Sequence, residues 1–194
     1  MLENKRILLI ISGGIAAYKT LDLIRLIRKN NGNVTCVLTK GGEQFVTPLS
    51  VASLSENKVY NDLWSLTDET EMGHIRLSRE NDLIVIAPAS ADIMAKMAHG
   101  IANDLASTTL LAANKPILIA PAMNHAMWNN PATQANLHTL NKRGILTIGP
   151  TEGDMACGET GMGRMSEPED ILNAIKDFFF ERPLKGKRAI VTAG

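Results

Sequence analysis

Arg6-Ile7-Leu8-Leu9-Ile10-Ile11-Ser12-Gly13-Gly14-Ile15-Ala16-Ala17 is an unbroken aliphatic run that stops at a hydroxyl, two glycines and a row of small residues. An apolar run without alternation belongs in a strand covered on both faces, as in a parallel sheet packed between helices. Glycine permits a sharp turn and close backbone approach, so the stretch reads as strand, turn and helix start. The pattern recurs. Strands are expected over residues 6–12, 33–39, 82–87, 116–120 and 145–149. The first helix is expected from Gly14 to Lys29, with Ala17, Leu21 and Ile24 on its inner face, Arg25 and Arg28 outward, and Gly32 as its stop. Further helices are expected near Ser50 and over 70–79, 91–99, 103–112, 131–143 and 167–180, the last with Pro168 in its first turn. Such alternation predicts an α/β fold: a doubly wound, mainly parallel sheet with helices on both faces, of the flavodoxin-like or Rossmann-like kind.

Composition narrows the functional classes. The chain has 194 residues, 45% hydrophobic and 21% charged, enough for one domain with a substantial core. Twenty basic residues balance twenty acidic ones, so no bulk charge draws the chain to nucleic acid or an anionic membrane. The apolar run at 7–11 is far too short to span a bilayer. Cys36 falls in a predicted strand and Cys157 in a loop, so no disulfide framework is expected. Four scattered histidines without ligand spacing argue against a metal site. A cytoplasmic, reduced setting fits these features.

Three strand ends carry small and hydroxylated residues. The first turn offers Ser12, Gly13 and Gly14 ahead of a helix N-terminus whose N–H groups and dipole suit a phosphate. A plain structural turn accounts for the same residues. The dinucleotide fingerprint is not met, because Ile15 and Tyr18 stand where glycines are required, and Lys19 lacks Walker surroundings. A mononucleotide phosphate fits better than a pyrophosphate. The second strand ends in Thr39-Lys40-Gly41-Gly42, followed by Phe45, and the third in Ala87-Pro88-Ala89-Ser90-Ala91-Asp92. Ligands of open α/β sheets bind beyond the carboxyl ends of strands, so these turns should converge on one crevice. Ser90 also suits a helix N-cap, and Phe45 the core.

Two later segments carry chemistry. Pro121-Ala122-Met123-Asn124 follows a strand directly, and the Asn124 amide can donate to a carboxylate and accept from an amide; it is also a common turn former. The run from Gly153 to Met165 holds Cys157 among four glycines, which predicts a mobile or specially shaped loop. Arg164 there is placed to favour a thiolate. His74, in Gly73-His74-Ile75-Arg76-Leu77-Ser78-Arg79, sits on a charged helix and has the proton affinity of a general base. His99, His125 and His138 are read as structural.

Together, Pro-Ala-Met-Asn at 121–124, Met-Ala-Cys-Gly-x-x-Gly-x-Gly-Arg-Met at 155–165 and His-Ile-x-Leu-x-Arg at 74–79 resemble the flavin-dependent cysteine decarboxylases over nearly the whole chain. The resemblance implies FMN as cofactor, held by Ser12, Gly13, Gly14, Ile15, Ala16, Thr39, Phe45, Pro88, Ala89, Ser90, Ala91 and Met123. It implies His74, Asn124 and Cys157 as catalytic residues, with Arg79, Asn124, Ala156 and Arg164 binding substrate. The implied reaction is decarboxylation of 4'-phospho-N-pantothenoylcysteine to 4'-phosphopantetheine in coenzyme A biosynthesis, with no metal. Relatives that stop after oxidative decarboxylation, or that serve as non-catalytic flavoprotein regulatory subunits, are the alternatives; Cys157 and His74 respectively speak against them. The resemblance also implies a homo-oligomer, with trimers assembled into a dodecamer and the site at a subunit boundary. The implied division is a decarboxylase domain over 1–181 and, over 182–194, a linker and the first strand of a truncated ligase domain.

Overall fold

A computed structural model describes residues 2–63, 73–154, 158 and 160–180. A parallel sheet of six strands forms its centre: β1 (Arg6–Ile11), β2 (Asn33–Leu38), β3 (Val59–Tyr60), β4 (Leu83–Ala89), β5 (Ile117–Pro121) and β6 (Leu146–Thr147), in the order β3-β2-β1-β4-β5-β6. The order reverses beside β1, where β1 pairs with β2 on one side and with β4 on the other. That reversal places a switch point, and hence a cleft, at the carboxyl ends of β1 and β4.

The unalternating aliphatic strands are explained by two cores. Ile7, Leu9 and Ile11 of β1 pack with α1 (Lys19–Lys29), α2 (Pro48–Ser55) and α8 (Pro168–Phe179), through Leu23, Ile24, Val51, Ile171 and Ile175. Leu8 and Ile10 point the other way, towards α3 (Gly73–Arg79), α4 (Ala91–His99), α5 (Leu105–Leu111) and α7 (Pro131–Lys142). Every residue from Ile7 to Ile11 has no exposed surface. Each such burial stabilises by roughly 1.5–3 kcal/mol relative to exposure. A polar residue anywhere in 7–11 would therefore break one core or the other.

Most expected elements appear with ends shifted by a few residues. The first helix differs in three respects. A 3-10 turn over Ile15–Tyr18 precedes α1, the inner face is Thr20, Leu23, Ile24 and Ile27, and Leu21 is only half-buried. Its stop is Asn31 in the left-handed region (φ 62), with Asn31 N–H donating to Arg28 O and Gly32 N–H to Ile27 O. Gly32 is needed instead for closeness: a Cβ there would lie 2.8 Å from Ile27 Cγ2. The helix expected over 70–79 is present from Gly73; residues 70–72 lie outside the described residues, as does the expected linker and strand at 182–194.

Not expected were the 3-10 turn at Gly42–Gln44, the edge strand β3, the short helix α6 (His125–Asn129), and an antiparallel hairpin of β7 (Thr151–Asp154) and β8 (Thr160–Arg164). The hairpin occupies most of the glycine-rich run read as a loop. Cys36 lies fully buried in β2, and burial pushes its thiol up to about 12, so it is inert as a thiolate. Among the described residues no helix is long and apolar enough to cross a membrane, and no cluster suits a metal ion.

Candidate active site

The switch point is closed by one hydroxyl. Ser12, 2% exposed, donates from Oγ to Pro88 O at 2.6 Å and accepts from the Ser90 N–H at 3.0 Å. Its hydroxyl thereby joins β1 to β4 at the wall of a cavity. Thr39 is similarly occupied: Oγ1 accepts from the Gly42 N–H at 3.0 Å and donates to Ile11 O at 3.3 Å. Ser90 differs. Its Oγ accepts from the Ile93 N–H as the N-cap of α4, and its own O–H has no acceptor among the described residues. Gly13 and Gly41 bring the first two turns together backbone to backbone, since a Cβ on Gly13 would stand 3.0 Å from Gly41 C. A side chain at either position would have to push the two turns apart.

Two cavities flank this junction. One, of about 560 Å³, is bounded by Gly13, Thr39, Ser90, Ala91 and Asp104. At its rim Lys96 Nζ bridges Asp104 Oδ2 at 2.9 Å and Asp92 Oδ2 at 3.1 Å. The other, of about 610 Å³, is bounded by Gly14, Ile15, Ala16, Met123, Asn124 and Arg164. Both volumes are those of small-molecule sites. Ile15 and Ala16 lie in the first turn of a helix, where N–H groups have no intrahelical acceptor, and Gly14 offers no side-chain cap. A Cβ on Gly14 would meet nothing within 4 Å, so the space above these donors is open. These donors and the Ser90 hydroxyl fit a mononucleotide phosphate and its polyol.

Asn124 occupies the N-cap of α6, with Oδ1 accepting from the Met127 N–H at 2.8 Å. That bond fixes the amide plane and leaves both Nδ2 hydrogens without an acceptor among the described residues. The turn-forming and ligand-orienting readings of Asn124 are thus one arrangement: the cap aims the donors. The hairpin closes over this residue. Met123 N–H donates to Gly163 O at 3.0 Å, and a Cβ on Gly163 would overlap Met123 O. Gly153, Gly161 and Gly163 have φ of 156°, 150° and 144°, a region that favours glycine. The glycines therefore serve close seating of a strand pair rather than mobility.

Arg164, at the end of β8, is the cavity's cationic rim. Its guanidinium bonds Glu167, whose carboxylate also takes Lys19 Nζ at 2.8 and 2.9 Å. Lys19, Tyr18 and Asp154 line this cavity and were not singled out from sequence; the proximity of Lys19 to the first glycine turn was the available signal. Hydrogen bonding from Lys19, helped by Arg164, holds the Glu167 carboxyl below its ordinary value of 4.5, against a burial effect of opposite sign. A depressed carboxyl stabilises the fold above its unfolded pKa and loses that contribution as pH falls through the folded value. Glu167→Gln should therefore lower the urea midpoint at pH 7, and the gap to wild type should shrink below about pH 4.5. A gap that is constant from pH 7 to 3 would refute the ion-pair role.

The remaining expected site residues divide. Pro88 and Ala89 lie within β4, and Pro88 contributes its carbonyl to the Ser12 bond. Phe45 is 45% exposed and lines neither cavity, so it is neither core nor cavity wall in this chain. His74 is half-buried in the first turn of α3. His74 lines neither cavity; two residues on, the Arg76 guanidinium donates to the Tyr60 hydroxyl at the end of β3 at 3.4 Å. Arg79, at the far end of α3, lies three residues from Asp82, whose carboxylate accepts from the Arg6 N–H at 2.8 Å at the start of β1. Helix polarity thus carries Arg79 to the opposite edge of the sheet, away from its own chain's crevice. Ala156 and Cys157 lie outside the described residues; Asp154 and Thr160, paired across the hairpin with Thr160 Oγ1 donating to Asp154 Oδ1 at 2.8 Å, flank them.

A doubly wound sheet with its cleft at the β1–β4 switch point, and glycine turns that lack the dinucleotide fingerprint, defines a mononucleotide-binding class of α/β protein. The flavoprotein family profile matches residues 1–180. Over 194 residues the chain is 51% identical to the coenzyme A biosynthesis bifunctional protein CoaBC of Haemophilus influenzae, covering 100% of this chain and 48% of that protein. Its fold is similar to a PPC decarboxylase mutant complexed with pantothenoylaminoethenethiol (TM-score 0.82, 35% identity, 90% of this chain and 98% of that one). It is also similar to the FMN binding protein AtHal3 (TM-score 0.80, 34% identity, 96% and 100%). The chain belongs to the flavoprotein family. It spans about half the length of the curated relatives it matches.

Proposed function

We propose that this chain is an FMN-dependent decarboxylase that converts 4'-phospho-N-pantothenoylcysteine to 4'-phosphopantetheine in coenzyme A biosynthesis. The observation that carries this reading is the convergence of Ile15, Ala16, Asn124 and Arg164 on one cavity, walled also by Asp154 and Gly163 of the hairpin. Ser90, Ala91, Gly13, Gly14, Ile15 and Ala16 would hold the cofactor. Bound FMN supplies a two-electron acceptor and later donor, which no protein side chain can replace.

The carboxylate of a cysteine amide has no sink for its electrons. Loss of the thiol proton, and of a hydride from the adjacent carbon, makes a thioaldehyde. The bond from Cα to the carboxylate then breaks, carbon dioxide leaves, and its electron pair becomes the C=C bond of an enethiolate. A proton delivered to Cα restores the C=S group, whose carbon takes the hydride back, and the resulting thiolate regains the proton that the thiol first lost. The balance is one carbon dioxide out and one proton in. In this scheme Asn124 orients the substrate carboxylate through its two N–H donors, His74 is the base, and Cys157 gives the proton to Cα. The hairpin keeps water from the enethiol in the interval.

The match to half of longer bifunctional relatives supports a continuation beyond 181 into a ligase domain, with 182–194 as its opening segment. Exposed Ile15, Tyr18, Phe45 and Leu49 support a homo-oligomer with sites at subunit boundaries. The deciding experiment mixes the FMN-loaded protein with the phosphorylated cysteine adduct and follows flavin bleaching and carbon dioxide together. Stoichiometric release with phosphopantetheine as product is expected. A colourless protein that takes up no FMN would sink the proposal.

A further inference from the structure

At the rim of the cavity bounded by Thr39 and Ser90, α4 and α5 are joined by charge. α5 begins at Asp104, whose Oδ1 accepts from the Ser107 N–H at 2.7 Å and from Ser107 Oγ at 2.8 Å, a reciprocal cap for the helix start. The other oxygen, Oδ2, faces Lys96 Nζ at 2.9 Å. One turn before Lys96 on α4, Asp92 brings a second carboxylate to the same ammonium at 3.1 Å. The cap thus puts a carboxylate at the cavity whatever the cavity holds, and Lys96 is the cation that offsets it. Its side chain is 18% exposed, so its charge is screened less than that of a surface lysine. The other charged residues lining this cavity, Lys40 and Asp62, offset one another. Among the described residues the lining therefore sets two cations against three carboxylates, and without Lys96 the excess of negative charge doubles.

We infer that Lys96 is a specificity residue for the phosphorylated cofactor: by offsetting Asp92 and Asp104 it admits an anion to a cavity whose carboxylates would otherwise repel one. This inference rests on the function proposed above. FMN differs from riboflavin by a phosphate that carries close to two negative charges, whereas riboflavin carries none. A cavity of about 560 Å³ is roughly 8 Å across, no wider than the Debye length at physiological salt, so a charge on its rim is felt throughout it. Asp92 adds a second effect. It stands in the first turn of α4, where a carboxylate takes up the positive dipole end that an anionic ligand would use. Lys96 draws that carboxylate into an ion pair and leaves the helix end to the ligand.

The test titrates the flavin-stripped full chain with FMN and with riboflavin, and reads both dissociation constants from flavin fluorescence. Four proteins are compared: wild type, Lys96→Met, Lys96→Arg, and the double variant Lys96→Met with Asp92→Asn. Methionine keeps the length of the stem and removes its charge. The double variant also removes one carboxylate, so the cavity regains its wild-type charge without regaining the bridge. Lys96→Met should weaken FMN binding by roughly tenfold and riboflavin binding by no more than about twofold. Lys96→Arg and the double variant should both bring FMN back to within about threefold of wild type. Equal weakening of both flavins would show a structural bridge and overturn the inference. So would unchanged FMN binding in Lys96→Met, or a double variant as weak as the single one; this last comparison decides the matter even where riboflavin binds too weakly to titrate. A wild type that takes up no FMN removes the functional reading and this inference with it, whereas a wild type that binds FMN beside an unaffected Lys96→Met removes this inference alone.

Discussion

Cys157→Ser should retain flavin reduction by substrate yet slow completion of turnover by about a hundred- to ten-thousand-fold, the usual loss when a positioned acid is removed. A cysteine thiol has a pKa of about 8.5, whereas a serine hydroxyl ionises far above the working range. The substitution changes little else. The described hairpin strands on either side of it are tied by the Thr160 Oγ1 bond to Asp154 and by the Met123 N–H bond to Gly163 O, neither of which involves residue 157. The variant should release one equivalent of carbon dioxide, then stall with reduced flavin and an enethiol product. Stopped-flow absorbance with mass analysis of the product decides it. Normal turnover, or failure before flavin reduction, would refute the assignment of Cys157 as proton donor.

A second large effect is expected at Asn124, where the two duties of one side chain can be separated. Aspartate caps a helix as well as asparagine, so Asn124→Asp should keep α6 and leave the urea midpoint close to wild type. Asn124→Ala should lose about 1 kcal/mol with the cap. Both remove the Nδ2 donors, and aspartate also sets a negative charge against the substrate carboxylate. Like charges brought together in this way cost several kcal/mol, so reduction of bound flavin by substrate should fall by about a hundredfold or more in Asn124→Asp. FMN binding should be unaffected. Retained flavin reduction in Asn124→Asp would remove Asn124 from substrate orientation.

The fold was legible because its strands are aliphatic without alternation and end at glycines. Ile7–Ile11 alone required cover on both faces, and the two cores provide it. The hairpin was not legible for the same reason that the sheet was: glycine signalled a turn. At Gly161 and Gly163 it instead signals a backbone pressed against His125 and Met123, a contact between segments distant in sequence. α6 and β3, at five and two residues, are too short to show a period. At the site, residue type identified Asn124 and the first glycine turn. It did not show that the Ser12 hydroxyl bridges β1 and β4 while the Ser90 O–H has no acceptor among the described residues, although both line one cavity. Nor did it register that α3 runs away from the crevice and carries Arg79 with it.

The pairing of β1 with β4 has a consequence for how the chain is made. Ile7 pairs with Leu83, and Ser12 joins Pro88, each across a sequence separation of 76. Ribosomes add about 5–20 residues per second, so β1 emerges roughly 4–15 s before its central neighbour exists. During that interval β2 alone can pair with it, and the other edge of an aliphatic strand is a template for unwanted association. Closing so long a loop also places the domain among the slower folders, in milliseconds to seconds rather than microseconds. The segment that builds the binding turn is thus the one most exposed to misassembly during synthesis. Chaperone dependence of this domain should follow the residence time of β1, not the stability of the finished sheet.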